Sequence, residues 1–209
     1  VKRKILATIV AAGTILSGCS GGSGDGSAVS TVGSESSSAT AVAGYLSGTA
    51  AVGAPLGLAN VKITCSGGAS KTGKTNSLGV YSVDVSSACP APFHVKISSS
   101  NGEVETIAVS SGTIVNVTPL TQLIARRAVG NSDLAANLAL ADATKMKDAQ
   151  DAIKEALKGY AAAIEASASP EAFLATDLVS GAFSANGSGI DKLLDLIKIE
   201  PGTGNAYNI

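Results

Sequence analysis

Between residues 42 and 117 apolar and polar side chains alternate in short runs, each closed by Gly, Pro, Asn or Ser. In Val61-Lys62-Ile63-Thr64-Cys65 the apolar positions are every second one. Tyr81, Val83 and Val85 alternate in the same way with Ser82 and Asp84, and Phe93, Val95 and Ile97 with His94 and Lys96. Side chains in a strand point to opposite faces in turn, so this pattern predicts strands that cover a core on one side. The expected strands are residues 43–49, 61–66, 80–85, 93–98, 103–109 and 113–117. Several short strands at close spacing predict a small β-sandwich. The core should be thin per residue, because Ala, Gly, Ser, Thr and Val dominate and each buries little area.

Particular residues in this stretch resemble a known family. Ser47-Gly48-Thr49, Gly53-Ala54-Pro55-Leu56 and Ala59-Asn60-Val61-Lys62-Ile63 look like the opening of a carboxypeptidase-regulatory-like domain. Thr75-Asn76-Ser77-Leu78-Gly79-Val80-Tyr81-Ser82-Val83 looks like that family's T-D-x-x-G-x-Y hairpin, with Asn76 in place of the usual Asp. The resemblance covers about a third of the chain. It implies a prealbumin-like Greek-key β-sandwich over residues 43–117 and no activity of its own, since such folds host many roles.

The N-terminal residues carry a different signal. Lys2-Arg3-Lys4 precedes an apolar run from Ile5 to Leu16. A basic start followed by a short apolar stretch is the pattern of a secretory signal, and the stretch falls short of the ~20 residues a spanning helix needs. It ends in Leu16-Ser17-Gly18-Cys19, which resembles the lipobox of bacterial lipoproteins. The resemblance implies a signal peptide of residues 1–18, cleavage between Gly18 and Cys19, and a lipid on Cys19. The competing reading is an ordinary signal peptide with a cysteine there by chance. Acyl chains contribute about 0.8 kcal/mol per buried methylene, and several chains give stable anchoring. Ser20 stands where an Asp favours retention in the inner membrane, so the family's rule points to the outer membrane. Residues 19–42 are rich in Gly and Ser, with Asp25 and Glu35 their only charges. Such a segment is expected to act as a flexible leash spanning roughly 25–30 Å.

Cys65 and Cys89 are the cysteines that remain once Cys19 is lipidated. In an exported protein a disulfide is the natural expectation, closing a loop of about 25 residues and contributing roughly 3 kcal/mol. The other readings are two buried thiols and a redox pair, the latter poorly suited to residues that do not form Cys-x-x-Cys.

Gly68-Ala69-Ser70-Lys71-Thr72-Gly73-Lys74-Thr75 fits the letters of a phosphate-binding P-loop. The chemistry needs a helix N-terminus behind the glycines, where backbone amides and the helix dipole hold phosphate. The residues that follow read as turn and strand, so the expectation is a hairpin loop and no nucleotide.

From residue 118 the period changes, and an α-helical segment is expected over residues 118–200. Thr118 suits an N-cap, Pro119 the first helical position, and Gly130 the stop. The run Asn116-Val117-Thr118-Pro119-Leu120-Thr121-Gln122-Leu123-Ile124 resembles a recurrent junction in bacterial lipoproteins where a regulatory-like sandwich passes into helices. Ser132-Asp133 is the expected cap of a second helix, with Met146, Ala149, Ile153, Ala156, Leu157, Tyr160 and Ile164 as its apolar stripe. Lys147, Asp148, Asp151, Lys154 and Glu155 fall off that stripe and are expected in water. Ser169-Pro170-Glu171 opens another helix, expected to end near Gly181. Ile190, Leu193, Leu194 and Ile197 form a last short stripe. Residues 201–209 read as a turn entering a strand, a tail with the look of a truncated end. The fold class is therefore α+β.

Few features suggest catalysis. His94 is the only histidine and is expected on the solvent side of its strand. No nucleophile elbow or calcium loop is present. The carboxylates of Asp177, Asp191 and Asp195 lack aromatic neighbours of the kind a glycosidase cleft offers. A net charge of -1 gives no electrostatic reason to expect nucleic acid. No metal, cofactor or catalytic residue is expected. The leading expectation is a lipid-anchored, non-catalytic envelope protein in display, adhesion or scaffolding, with a protein or glycan partner at the cell surface. The competing one is a periplasmic ligand-binding protein or hydrolase using the helical segment, which predicts a concave pocket near Asp177–Asp195 or His94.

Overall fold

The computed structural model describes residues 36–130, 133–160, 169–196, 200–201 and 207–208. The chain is mixed α and β. Seven strands precede the helices: β1 (Tyr45–Thr49), β2 (Asn60–Cys65), β3 (Ser70–Lys74), β4 (Val80–Asp84), β5 (Phe93–Ser99), β6 (Gly102–Ala108) and β7 (Thr113–Ile114). They form a three-stranded sheet in the order β4-β1-β7 and a four-stranded sheet in the order β3-β2-β5-β6. In the second sheet all pairings are antiparallel, with Val61 opposite Ile97 and Ile63 opposite Val95. In the first, β4 pairs antiparallel with β1 and β7 parallel to it.

The alternation read from sequence decides which side chains meet. Leu46, Val61, Ile63, Tyr81, Val83, Phe93, Ile97, Val104, Val115 and Val117 come from both sheets into one apolar core. Each large aliphatic side chain removed from water contributes about 1.5–3 kcal/mol. Gly48 is required at the centre of this core. A Cβ there would lie 1.9 Å from the Val115 carbonyl oxygen and 3.0 Å from the Tyr81 ring.

Two strands depart from expectation. β3 was not expected as a strand, because Ser, Lys, Thr and Gly give it no apolar alternation. It is an edge strand held by its ladder with β2, and its lysines are the kind of residue that keeps an edge from pairing further. β7 is shorter than residues 113–117. The chain still follows β1, since the Val115 and Val117 amides donate to Ser47 and Thr49 carbonyls at 2.8 and 2.9 Å.

Helix α1 (Pro119–Val129) has the predicted caps. Thr118 and Thr121 satisfy one another's backbone amides in a capping box, and Gly130 closes the end at φ 66°. Helix α2 (Ala143–Leu157) starts later than expected, with Asp142 as its N-cap. Asp133 caps only a turn, accepting from the Ala136 amide at 3.0 Å, and Ser132 lies outside the described residues. Of the predicted stripe, Met146, Ala149, Ile153 and Leu157 are buried, whereas Ala156 and Tyr160 are exposed and Ile164 lies outside the described residues.

Helix α3 (Pro170–Ala175) stops short of Gly181. The polar side chains of α2 supply the reason. Lys154 takes up the Leu174 and Thr176 carbonyls, and the Gln150 carbonyl oxygen accepts from the Leu178 and Val179 amides. Backbone groups satisfied in this way have no need of further helical turns. Helix α4 (Ile190–Leu196) is followed by β8 (Glu200–Pro201), whose backbone pairs antiparallel with β9 (Tyr207–Asn208).

The helices share a second core with β6. Ile107 joins Leu120, Leu123, Ile124, Met146, Ile153, Leu157, Phe173 and Leu193, while its neighbours on β6, Val104 and Ala108, belong to the core between the sheets. Buried Asn116 ties the two parts together. Its side chain accepts from the Thr49 amide at 3.2 Å and donates to the Gly181 carbonyl at 2.8 Å. Residues 36–38, which composition assigns to the linker, are held by the head. Asn76 donates to the Ser36 carbonyl at 3.1 Å and Ser184 to the Ser37 carbonyl at 3.2 Å.

Candidate functional site

The residues singled out from sequence fall in separate places. Cys65, at the end of β2, and Cys89, in the loop after β4, stand at disulfide-bonding distance with Cα atoms 5.2 Å apart. Gly18 and Cys19 lie outside the described residues. The P-loop letters occupy the β2–β3 hairpin. Gly68 takes the turn at φ 82° and residues 70–74 are strand, so no helix N-terminus stands behind the glycines. The amide geometry that would hold a phosphate is therefore replaced by a β ladder.

His94 is buried, at 5% exposure, and not on a solvent face. It lies opposite Ile107, whose side chain enters the helical core, so helix α1 covers this side of the sheet. The His94 Nε2–H donates to Glu105 Oε2 at 2.9 Å, and Arg126 of α1 donates to Glu105 Oε1 at 3.1 Å. With its amide oxygen turned to the guanidinium, Gln122 accepts from Arg126 Nη2 at 2.6 Å. Hydrogen bonds from His94 and then Arg126 hold the Glu105 carboxyl below its usual range, against the opposing effect of burial. The cluster joins sheet to helix.

An open groove of about 480 Å³ lies between β6, α2 and the chain after α3. Ile107, Val109 and Met146 line its apolar side, and Lys154, Thr176 and Asp177 its polar side. Lys154 and Asp177 are already engaged. Lys154, 6% exposed, donates to Leu174 and Thr176 carbonyls at 2.8 and 3.3 Å and pairs with Asp151 at 3.0 Å. Asp177 accepts from the Val179 and Ser180 amides. Lys154 was expected in water. Nothing in its spacing from Asp151 separates it from the exposed lysines, and only the fold places backbone carbonyls around it.

Asp191 and Asp195 do not line this groove. Asp191 is 1% exposed, with one oxygen accepting from the Gly187 amide at 2.6 Å and the other, Oδ1, without a partner. Asp195 is exposed, with an oxygen beside Gly53. Among the described residues no three His, Cys, Asp or Glu side chains are placed to hold a metal ion, and no helix is long and apolar enough to cross a membrane.

No protein-family model matches this chain, and neither a curated protein nor a solved structure matches it.

Proposed function

We propose that the chain is a lipid-anchored, non-catalytic protein of the bacterial cell envelope, its head serving in display, adhesion or scaffolding. The observation that carries this reading is Leu16-Ser17-Gly18-Cys19 at the end of a basic and apolar leader. Cys65 and Cys89 at bonding distance support export, because such pairs persist in oxidising compartments. Ser20 favours the outer over the inner membrane. A protein or glycan at the cell surface is the partner class that a displayed head of this kind serves.

The head itself is a Greek-key β-sandwich of the carboxypeptidase-regulatory-like kind. Two sheets around one core support that assignment. So does the hairpin resembling the family's, in which Asn76 Oδ1 accepts from the Leu78 and Val80 amides at 3.0 and 2.9 Å, bonds that a carboxylate oxygen can equally accept. The groove beside Lys154 favours a second reading, a periplasmic ligand-binding protein. It ranks second because Lys154 and Asp177, charged groups of its lining, are engaged in internal hydrogen bonds.

The test is fractionation and protease shaving of whole bacteria expressing the chain or its Cys19→Ser variant. Membrane attachment that depends on Cys19, with a head shaved from outside, is the expected result. A protected head moves the site of action to the periplasm. Membrane attachment unchanged by Cys19→Ser removes the anchor.

A further inference from the structure

One end of the two sheets carries an unusual pair of side chains. It is built from residues 50–59 and 75–79, whose backbones bond directly. Ala50 donates to the Gly79 carbonyl at 2.9 Å and Leu58 to the Asn76 carbonyl at 3.1 Å. The approach is close enough that a Cβ on Gly57 would meet the Ser77 carbonyl at 2.5 Å. On this rigid tip Leu58 is 70% exposed and Leu78 38%. Leu58 also adopts φ 56°, a left-handed conformation that costs a bulky residue free energy. Leu196, half exposed, follows Asp195, whose carboxylate lies against Gly53 of the same tip. Strain spent on holding a leucine in water has no return within the fold, and points to something outside it.

The position of the N-terminal segment says what that is. Asn76 fixes the turn of Leu78 through its Oδ1 and holds the Ser36 carbonyl through its Nδ2. Ser36, the first described residue on the Cys19 side, therefore lies at this tip, opposite the Cys65–Cys89 end of the strands. From Cys19 to Ser36 is 36 − 19 = 17 residues. The leash expected from its Gly and Ser content would reach roughly 20–25 Å. Lys74, exposed at the end of β3, adds a positive charge suited to anionic headgroups.

We propose that this tip rests on the membrane that holds the lipid, with Leu58 and Leu78 entering its interfacial layer. The proposal depends on the anchor assigned to Cys19, and the experiment separates the two. The full lipidated chain is placed in vesicles of phosphatidylcholine and phosphatidylglycerol. An environment-sensitive dye is attached at Leu78→Cys, or at Ser70→Cys on the far end, and doxyl-labelled lipid is the quencher. Quenching several-fold stronger at position 78 than at 70, and reduced by adding Leu58→Ser, is expected. Flotation of the unlabelled chain and of Cys19→Ser reads the anchor alone. Vesicles that float the lipidated chain while both dyes are equally unquenched overturn the tip and leave the anchor standing. Failure of the lipidated chain to float overturns the anchor, and the proposal with it. A dye at 78 that responds to protein concentration and not to doxyl lipid shows a second copy of the chain as the occupant, and overturns the proposal as well.

Discussion

Tyr81 lies opposite Gly48 in the β1–β4 register, and its hydroxyl donates to the Val115 carbonyl at 2.6 Å. One aromatic side chain thus fills the space that a glycine leaves and satisfies the strand beyond it. Burial also raises the Tyr81 phenol far above its ordinary range, so it is a neutral donor at neutral pH. Tyr81→Phe leaves a buried carbonyl unsatisfied and should cost about 1–3 kcal/mol in urea unfolding. Gly48→Ala should cost more, because its Cβ would overlap the Val115 carbonyl and β1 must move. If the alanine variant proves the milder of the two, the packing described for this core is wrong.

The pair at Cys65 and Cys89 closes a loop across a sequence separation of 24. A bond there removes freedom from the unfolded chain and should contribute about 3 kcal/mol. Replacing both cysteines by serine, or unfolding in the presence of a reductant, should lower stability by a similar amount. A urea midpoint indifferent to reductant would show that the thiols are not joined.

Strands β2, β4 and β5 were legible because their apolar positions alternate, and α1 because Thr118, Pro119 and Gly130 stand where cap chemistry needs them. What escaped was set by distant residues. β3 exists through its ladder with β2 and has no apolar period of its own. The side of β5 that carries His94 looks polar in sequence and becomes interior only when α1 lies over it. The start of α2 was misplaced because Asp133 and Asp142 offer the same capping side chain, and only packing chooses between them. Lys154 was read as solvated because its spacing matches exposed neighbours, while the carbonyls it holds lie 20 and 22 residues further on. The pairing of Cys65 with Cys89 was accessible by contrast, since two thiols in a chain expected to be exported leave few alternatives.

Asn76 does two jobs with two atoms, and they can be separated. Asn76→Asp keeps the oxygen that accepts from Leu78 and Val80 but loses the amide that donates to Ser36. Its thermal stability should stay within about 0.5 kcal/mol of the parent, as for surface changes. Cleavage by a broad-specificity protease within residues 36–42 should accelerate. Asn76→Ala loses both jobs and should cost about 1–2 kcal/mol in addition. Equal cleavage in parent and Asn76→Asp would show that the Ser36 bond does not hold the segment down.

Glu105 makes stability depend on pH with a definite sign. Hydrogen bonds from His94 and Arg126 hold its folded carboxyl below the ordinary value, while in the unfolded chain it titrates near about 4.3. The unfolded state therefore takes up a proton first as pH falls, and stability falls with it. The contribution is fully present above the unfolded value and is lost as pH drops through the folded one. Glu105→Gln should cost about 1–2 kcal/mol at neutral pH, a figure already discounted for the solvent that reaches this partly exposed group. Urea midpoints of parent and variant should keep a constant gap from neutrality down to mild acid and converge once the pH has fallen below the lowered folded value of Glu105. A gap that widens on acidification would reverse the sign and show that Glu105 is not the carboxylate that bolts α1 to the sheet.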